Sequence, residues 1–389
     1  TDKEINWVSI IILNRRNKYM SITTQKILIL SCGTGGGHNS VAKAIQENLI
    51  ERGINVDFIE YLDIINPRIR NKVNNLYIKS TRRNGKIFKV VYKLGEIYEK
   101  TNIKSPVYAL NFLNKNRLYK YIVENKYKYI ITTHLFAAQT LTAIKKEHNI
   151  KFMAVATDYV CIPFWKETNP DYFIIPGEDL IDDFVSKGIE KEKLLPLGIP
   201  TAKTYRQEFD KNECKKKLGL EVSKKYILIL TGSMGFGNIT DMMEELLKNI
   251  KDVSFIISTG NNSKMLEVLN EKYKNLDNLI ILPFTNEISE YMEGNIVHIY
   301  PEAALWPYYE KIRKFKNGAF DLAVRNNVPI IPIVCIFREP NGIRKILKNK
   351  KDVTLKILEP INPQTEKKNR KEESEELKEK VFLEMKRRT

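Results

Sequence analysis

The chain has 389 residues, 43% of them hydrophobic and 10% aromatic, which is globular composition with room for two or three domains. No apolar run approaches the roughly eighteen residues of a membrane-spanning helix. Four scattered cysteines, Cys32, Cys161, Cys214 and Cys335, fit neither a disulfide framework nor a zinc site and suit a reducing cytoplasm. The net charge of +17 asks for an anionic partner.

Residues 1–20 read as an upstream extension without structure of its own. Trp7 to Leu13, followed by Arg15 and Arg16, lacks the order and cleavage site of a signal peptide. Met20 is the expected natural start. The first strand is expected over 27–31, where Ile27, Leu28, Ile29 and Leu30 read as a buried parallel strand. A glycine turn, Gly33-Thr34-Gly35-Gly36-Gly37, leads to His38 and a helix over 39–51 with Val41, Ile45 and Leu49 on one face. Glycines let a ligand approach the backbone, and a helix N-terminus offers N–H groups to an oxyanion. The turn lacks the Gly-Lys-Ser/Thr of a phosphate loop and the spaced glycines of a dinucleotide binder. His38 therefore stands where open α/β sheets bind ligands.

A strand over 54–59 follows. From Asn66 to Lys93 there are nine basic residues and no acidic one: Arg68, Arg70, Lys72, Lys79, Arg82, Arg83, Lys86, Lys89 and Lys93. Tyr77, Phe88, Tyr92 and aliphatic residues interleave them. This basic, aromatic stretch, in a helical pattern over 68–99, reads as a surface for anionic lipid headgroups. No motif of a common nucleic-acid module accompanies it, so nucleic acid is not an expected partner.

Further strands are expected at 128–132, 151–156, 172–175, 226–231, 253–258 and 279–282, with helices at 107–124, 136–147, 178–187, 239–250 and 263–274. Residues 193–200 read as a strand closing the first domain. The alternation predicts doubly wound parallel sheets. The second unit repeats the first, with a buried strand from Tyr226, then Gly232-Ser233-Met234-Gly235-Phe236-Gly237, then a helix. Strands are expected again at 296–300, 328–336 and 353–358, and the charged tail carries a thin stripe of Leu377, Val381, Phe382 and Met385 expected on a surface helix.

Several ordered motifs together resemble the bacterial and plastid diacylglycerol glycosyltransferases: Gly35-Gly36-Gly37-His38, Thr133-His134-Leu135-Phe136, Thr157-Asp158-Tyr159 with Pro163-Phe164-Trp165, Gly198-Ile199-Pro200, and the glycine loop at 232–237. That group includes processive diacylglycerol glucosyltransferases and monogalactosyldiacylglycerol synthases, and the resemblance spans 21–293. It implies a GT-B-like fold of two Rossmann-like domains facing a cleft. It implies diacylglycerol as acceptor, UDP-glucose or UDP-galactose as donor, inversion at the anomeric carbon, and no cofactor or metal. His38 becomes the candidate general base, since histidine titrates near neutrality. Asp158 orients it or holds the acceptor hydroxyl, or else caps a turn. Gly35, Gly36, Gly37, His134 and Trp165 belong to the acceptor side. Gly232, Ser233, Met234, Gly235 and Gly237 cradle the leaving diphosphate. The basic segment falls where the family docks, which implies a cytoplasmic protein peripheral on the inner face of the cell membrane.

After Met292 the pattern changes. Tyr300-Pro301-Glu302-Ala303, Phe315 to Phe320 and Val328-Pro329-Ile330-Ile331-Pro332 resemble the C-terminal part of the lysophosphatidate and glycerol-phosphate acyltransferases. That family works with a His and an Asp separated by four residues. His38, His134, His148 and His298 are followed five positions later by Lys43, Gln139, Met153 and Ala303, so the pair is absent. The expected division is 1–20 extension, 21–202 acceptor and membrane domain, 203–225 linker, 226–293 partial donor domain, 294–363 acyltransferase-like fragment and 364–389 charged helix. The alternatives to a working glycosyltransferase are an inactive truncated or fused protein that only binds lipid membranes, and a degenerate acyltransferase.

Overall fold

The structure is a computed structural model that describes residues 26–33, 36–66, 104–206, 209–231, 239–294, 296–297, 312, 315, 317–338, 352–364 and 369–388. The chain divides into two compact units, Thr1–His298 and Ile299–Thr389.

The first unit contains β1 (Lys26–Ser31), α1 (Gly36–Glu51), β2 (Val56–Glu60), α2 (Tyr61–Ile65), α3 (Pro106–Phe112), α4 (Lys115–Glu124), β3 (Tyr127–Thr132), α5 (Leu135–Lys145), β4 (Lys151–Val155), β5 (Tyr172–Ile174), α6 (Ile181–Ser186) and β6 (Leu194–Leu195). The six strands are parallel in the order β2-β1-β3-β4-β5-β6. Both faces of the sheet are covered. Leu28, Leu30, Ile130, Phe152 and Phe173 pack on one side, and Ile27, Ile29, Ile131, Met153 and Val155 on the other with Val41, Ile45 and Leu49 of α1. The period of two along each strand sends alternate side chains to opposite faces, and burial of both makes the runs continuously apolar.

The chain runs from β1 outward to β2, then crosses back so that β3 lies on the other side of β1. That reversal opens a crevice at the carboxyl ends of β1 and β3, the place where open α/β sheets take ligands. The second sheet repeats the device. It comprises β7 (Tyr226–Leu230), β8 (Ser254–Ser258), β9 (Leu279–Leu282) and β10 (Ile296–Val297), parallel in the order β10-β7-β8-β9. Its helices are α8 (Ile239–Asn249), α9 (Ser263–Tyr273) and α10 (Ile288–Gly294), and α7 (Lys211–Lys217) precedes it. The reversal lies between β7 and β10, so the segment after β7 starts at a switch point too.

In the second unit, α11 (Gly318–Asn326) and α12 (Arg370–Lys386) share a core of Phe315, Phe320, Ala323, Leu377, Val381 and Met385. The strands β11 (Ile333–Arg338) and β12 (Asp352–Ile357) pair antiparallel with each other.

The α/β class and the Rossmann-like parallel sheets are those expected. Four local expectations are corrected. The helix read over 107–124 is two helices broken at Leu113 and Asn114, where the Asn114 amide bonds back to the Leu110 carbonyl and ends α3. The helix at 178–187 begins as a 3-10 turn, Glu178–Leu180. The strand at 193–200 shrinks to Leu194–Leu195, since Pro196 and Gly198, at φ +91°, leave the extended ladder. The strand at 328–336 starts only at Ile333, because Pro329 and Pro332 have no N–H to donate. The tail helix is the expected surface helix, mostly solvent-accessible, with its apolar stripe packed into the core of its unit. The extension 1–20 and the helix at 68–99 lie outside the described residues. Among the described residues no helix is long and apolar enough to cross a membrane.

Candidate active site

The site is built on the carboxyl ends of β1, β3 and β4. Gly36 and Gly37 form the first turn of α1 rather than a loop before it, which puts His38 on that first turn, half-buried. A Cβ placed on Gly37 would meet no protein atom within 4 Å, so the space beside it is open. Gly35 lies outside the described residues.

The His38 ring is tied from two distant places. Its Nδ1 lies 2.9 Å from the Thr133 carbonyl oxygen and 3.0 Å from Thr157 Oγ1. A carbonyl oxygen can only accept, so Nδ1 carries the ring proton and the lone pair of the neutral imidazole is on Nε2. Thr133 holds the other end of the same residue, since its hydroxyl donates to the His38 carbonyl at 3.1 Å. Thr133 is itself fixed by donating its N–H to the Leu30 carbonyl at the end of β1.

His134 follows at once and caps α5, its Nδ1 accepting the Phe136 N–H at 3.2 Å. Its backbone is held by Thr132, whose hydroxyl bonds both the His134 carbonyl and the His134 N–H. The ring meets His38 edge-on, with centroids 4.7 Å apart and planes at 80°, and it is only 7% exposed. Burial, and secondarily the His38 charge, push its pKa well below the ordinary histidine value. His134 is thus a neutral imidazole, with Nδ1 accepting and Nε2 protonated.

Asp158 follows Thr157 after β4. Its side chain is exposed to solvent, yet the protein around it desolvates the carboxylate enough to raise its pKa, against the lowering effect of the His38 charge. A proton-accepting imidazole and a carboxylate of raised basicity therefore share the crevice, which suits removal of a proton from a hydroxyl.

The structure departs from expectation at Trp165. It lies on the 3-10 turn Pro163–Glu167 and is 2% exposed, its ring packed edge-on against Phe173 with centroids 5.7 Å apart. A large aromatic surface gains more from the core than from an open crevice, so the side chain belongs to the core of the first unit. Sequence reasoning also missed Glu60. Its carboxylate accepts the Gly33 N–H at 3.0 Å and reaches Asn39 Nδ2 at 3.4 Å, bracing the glycine turn. The only signal for it was an acidic residue at the end of the strand beside β1. Thr133 and Thr157 stood inside recognised motifs without an assigned role.

In the second sheet, Thr231 after β7 donates to the Ser258 carbonyl at 2.7 Å, fixing the exit of the strand towards the glycine loop. Gly232, Ser233, Met234, Gly235 and Gly237 lie outside the described residues, as do Arg68, Arg70, Lys72, Lys79, Arg82, Arg83, Lys86, Lys89 and Lys93. Among the described residues no group of three or more His, Cys, Asp or Glu side chains is gathered to hold a metal ion.

Residues 38–201 match the family of monogalactosyldiacylglycerol synthase, and residues 259–336 match an acyltransferase family. A processive diacylglycerol beta-glucosyltransferase of Staphylococcus saprophyticus is 26% identical over 284 residues, covering 71% of this chain and 70% of that protein. One from Bacillus cereus is 24% identical over 275 residues, covering 69% of each. Among solved structures, the sucrose-phosphate synthase of Thermosynechococcus elongatus aligns at a TM-score of 0.49 with 12% identity, over 78% of this chain and 80% of its own.

Proposed function

We propose that this chain is a UDP-sugar-dependent hexosyltransferase of the membrane surface, joining glucose or galactose to the hydroxyl of diacylglycerol with inversion at the anomeric carbon. The observation that carries this reading is the contact of His38 with His134 and Thr157 at the carboxyl ends of β1, β3 and β4, inside the segment that matches the synthase family. His38 Nε2 takes the proton of the acceptor hydroxyl. The acceptor oxygen bonds the anomeric carbon from the face opposite the diphosphate, and UDP leaves with the electrons of the broken bond. Asp158 holds the same hydroxyl or orients His38. The glycine loop at 232–237, delivered by β7, receives the diphosphate charge through backbone N–H groups.

The membrane-surface part of the reading is supported by α3. Leu110 and Leu113 are 66% and 77% exposed, and Phe112 is partly so. Lysines flank them, with Lys115 over the Phe112 ring and Lys104 and Lys146 over the Tyr108 ring. Apolar residues ringed by lysines suit an anionic bilayer surface, and the acid-free stretch 66–93 precedes them in sequence. On this reading the protein is peripheral on the inner face of the cell membrane.

A second reading is a lipid-binding protein without turnover. The passage after residue 292 into acyltransferase-like sequence, with no His–Asp pair, favours it. One experiment separates the two. The purified chain and His38→Ala are incubated with radiolabelled UDP-glucose and UDP-galactose on liposomes of diacylglycerol and anionic lipid. Glycolipid made by the parent and lost in the variant supports transfer at His38. No product with either sugar, beside intact liposome binding, supports the second reading.

A further inference from the structure

We propose that Thr157 is a positioning residue for His38: together with the Thr133 carbonyl it holds the ring in the Nδ1–H tautomer, while His134 is locked in the opposite one, so that His38 Nε2 is the imidazole lone pair presented to the acceptor. This rests on the reading of His38 as the base and deepens it.

The four ring nitrogens can be accounted for one by one. His38 Nδ1 carries a proton, because a carbonyl oxygen sits 2.9 Å away. His134 Nδ1 carries a lone pair, because a backbone N–H points at it from 3.2 Å. The neutral His134 therefore has its proton on Nε2. The remaining lone pair is that of His38 Nε2, and no bond from a described residue is made to it. Two adjacent histidines are thereby told apart without any difference in residue type. One is set by a carbonyl to accept at Nε2, and the other by a helix N-terminus to remain neutral.

Thr157 lies 119 residues from His38 in sequence, and its oxygen reaches Nδ1 at 3.0 Å. With the ring proton aimed at the Thr133 carbonyl, the hydroxyl oxygen accepts a second share of it. When Nε2 takes the acceptor's proton, the ring becomes a cation and the Nδ1–H bonds become charge-assisted, which strengthens both. The Asp158 carboxylate acts electrostatically on His38, and the adjacent His134 is neutral, so neither opposes that charge. Thr157 thus acts through His38 and touches no reacting atom.

The test compares Thr157→Val, which keeps the shape and removes the hydroxyl, with Thr157→Ser, which restores it. In the full chain labelled with 15N-histidine, long-range NMR correlations read the His38 tautomer without any turnover, and melting curves check that each variant is folded. The parent is expected to show Nδ1–H at His38 and Nε2–H at His134. Thr157→Val should show a mixture of tautomers at His38. Its kcat should fall about tenfold, a modest part of what a general base contributes, with KM for the UDP-sugar within about twofold. Thr157→Ser should restore both. An Nε2–H His38 in the parent overturns the proposal. So does a Thr157→Val variant that keeps the pure Nδ1–H form, or one that changes tautomer without losing kcat. If no variant and no parent transfers sugar, the function reading fails, and the tautomer measurement alone still decides what Thr157 does.

Discussion

The Glu167 carboxylate accepts a hydrogen bond from the Gln139 amide at 2.7 Å, both side chains buried in the first unit. The same carboxylate accepts the Ser105 N–H and the Ser105 hydroxyl, and Gln139 Oε1 accepts the Asn111 amide at 2.7 Å. The Glu167 backbone carbonyl takes the Lys104 ammonium, whose pKa burial lowers against the pull of the Glu167 charge. This network joins the entry of α3, the middle of α5 and the turn that carries Trp165. It fixes α5, and with it His134 and Thr133 at the head of that helix.

Glu167→Ala leaves three buried donors without their acceptor. A loss of about 3 kcal/mol is expected, from donors that each cost about 1–3 kcal/mol when unsatisfied. Urea unfolding followed by circular dichroism measures it. A loss under about 1 kcal/mol would mean that water replaces the carboxylate and that the network does not hold α5.

His134 makes stability fall in acid. Its folded pKa lies below the unfolded value near 6.5, so the unfolded chain binds a proton first as pH drops. Its contribution is complete above about pH 6.5 and declines below it by up to about 1.4 kcal/mol per pH unit, until the folded form also takes a proton. His134→Asn keeps a capping oxygen and does not titrate. The difference between the two pH–stability curves should therefore grow from pH 7 to pH 5. Parallel curves would refute burial as the cause.

Asp158 works in the opposite sense. Its folded pKa is raised, so above the ordinary carboxylate range the charged form is less welcome in the folded protein than in the unfolded one. Asp158→Asn should melt higher than the parent at pH 7, with the gap closing as pH falls to the ordinary carboxylate pKa. Glycolipid formation should drop at the same time, the sign of a residue kept for its chemistry. A variant that melts lower and transfers normally would make Asp158 a turn cap.

The pair Leu110→Asp and Leu113→Asp tests the lipid-facing surface. Both side chains are largely exposed, so the melting temperature should hardly move. Burying a leucine in an apolar phase is worth about 1.5–3 kcal/mol, so sedimentation with vesicles containing anionic lipid should weaken at least about tenfold. Unchanged sedimentation would leave membrane binding to the segment 66–93 alone.

Much of the site's address was legible in order along the chain. Ile27 to Leu30 followed by glycines and His38 gave a strand and a helix, because each depends on spacing within a few residues, although Gly36 and Gly37 proved to belong to the helix. At Tyr226 to Leu230 the strand was legible in the same way. The break at Asn114 was not legible, because an asparagine inside an apolar period ends a helix only when its amide finds a carbonyl one turn back. Trp165 was placed on the acceptor side by resemblance, and its burial was not legible because composition does not say which aromatic residue the core will take.

The sequence by itself determined most of the strands, the basic stretch and the place of His38 just after a strand end, since these follow from local period and composition. The tertiary structure alone decided what His38 is able to do. Its proton is placed by Thr133, 95 residues away, and by Thr157, 119 away. Its neighbour His134 is kept neutral by burial and a helix N-terminus. Residues so distant meet only because the sheet reverses between β1 and β3 and brings the carboxyl ends of β1, β3 and β4 side by side.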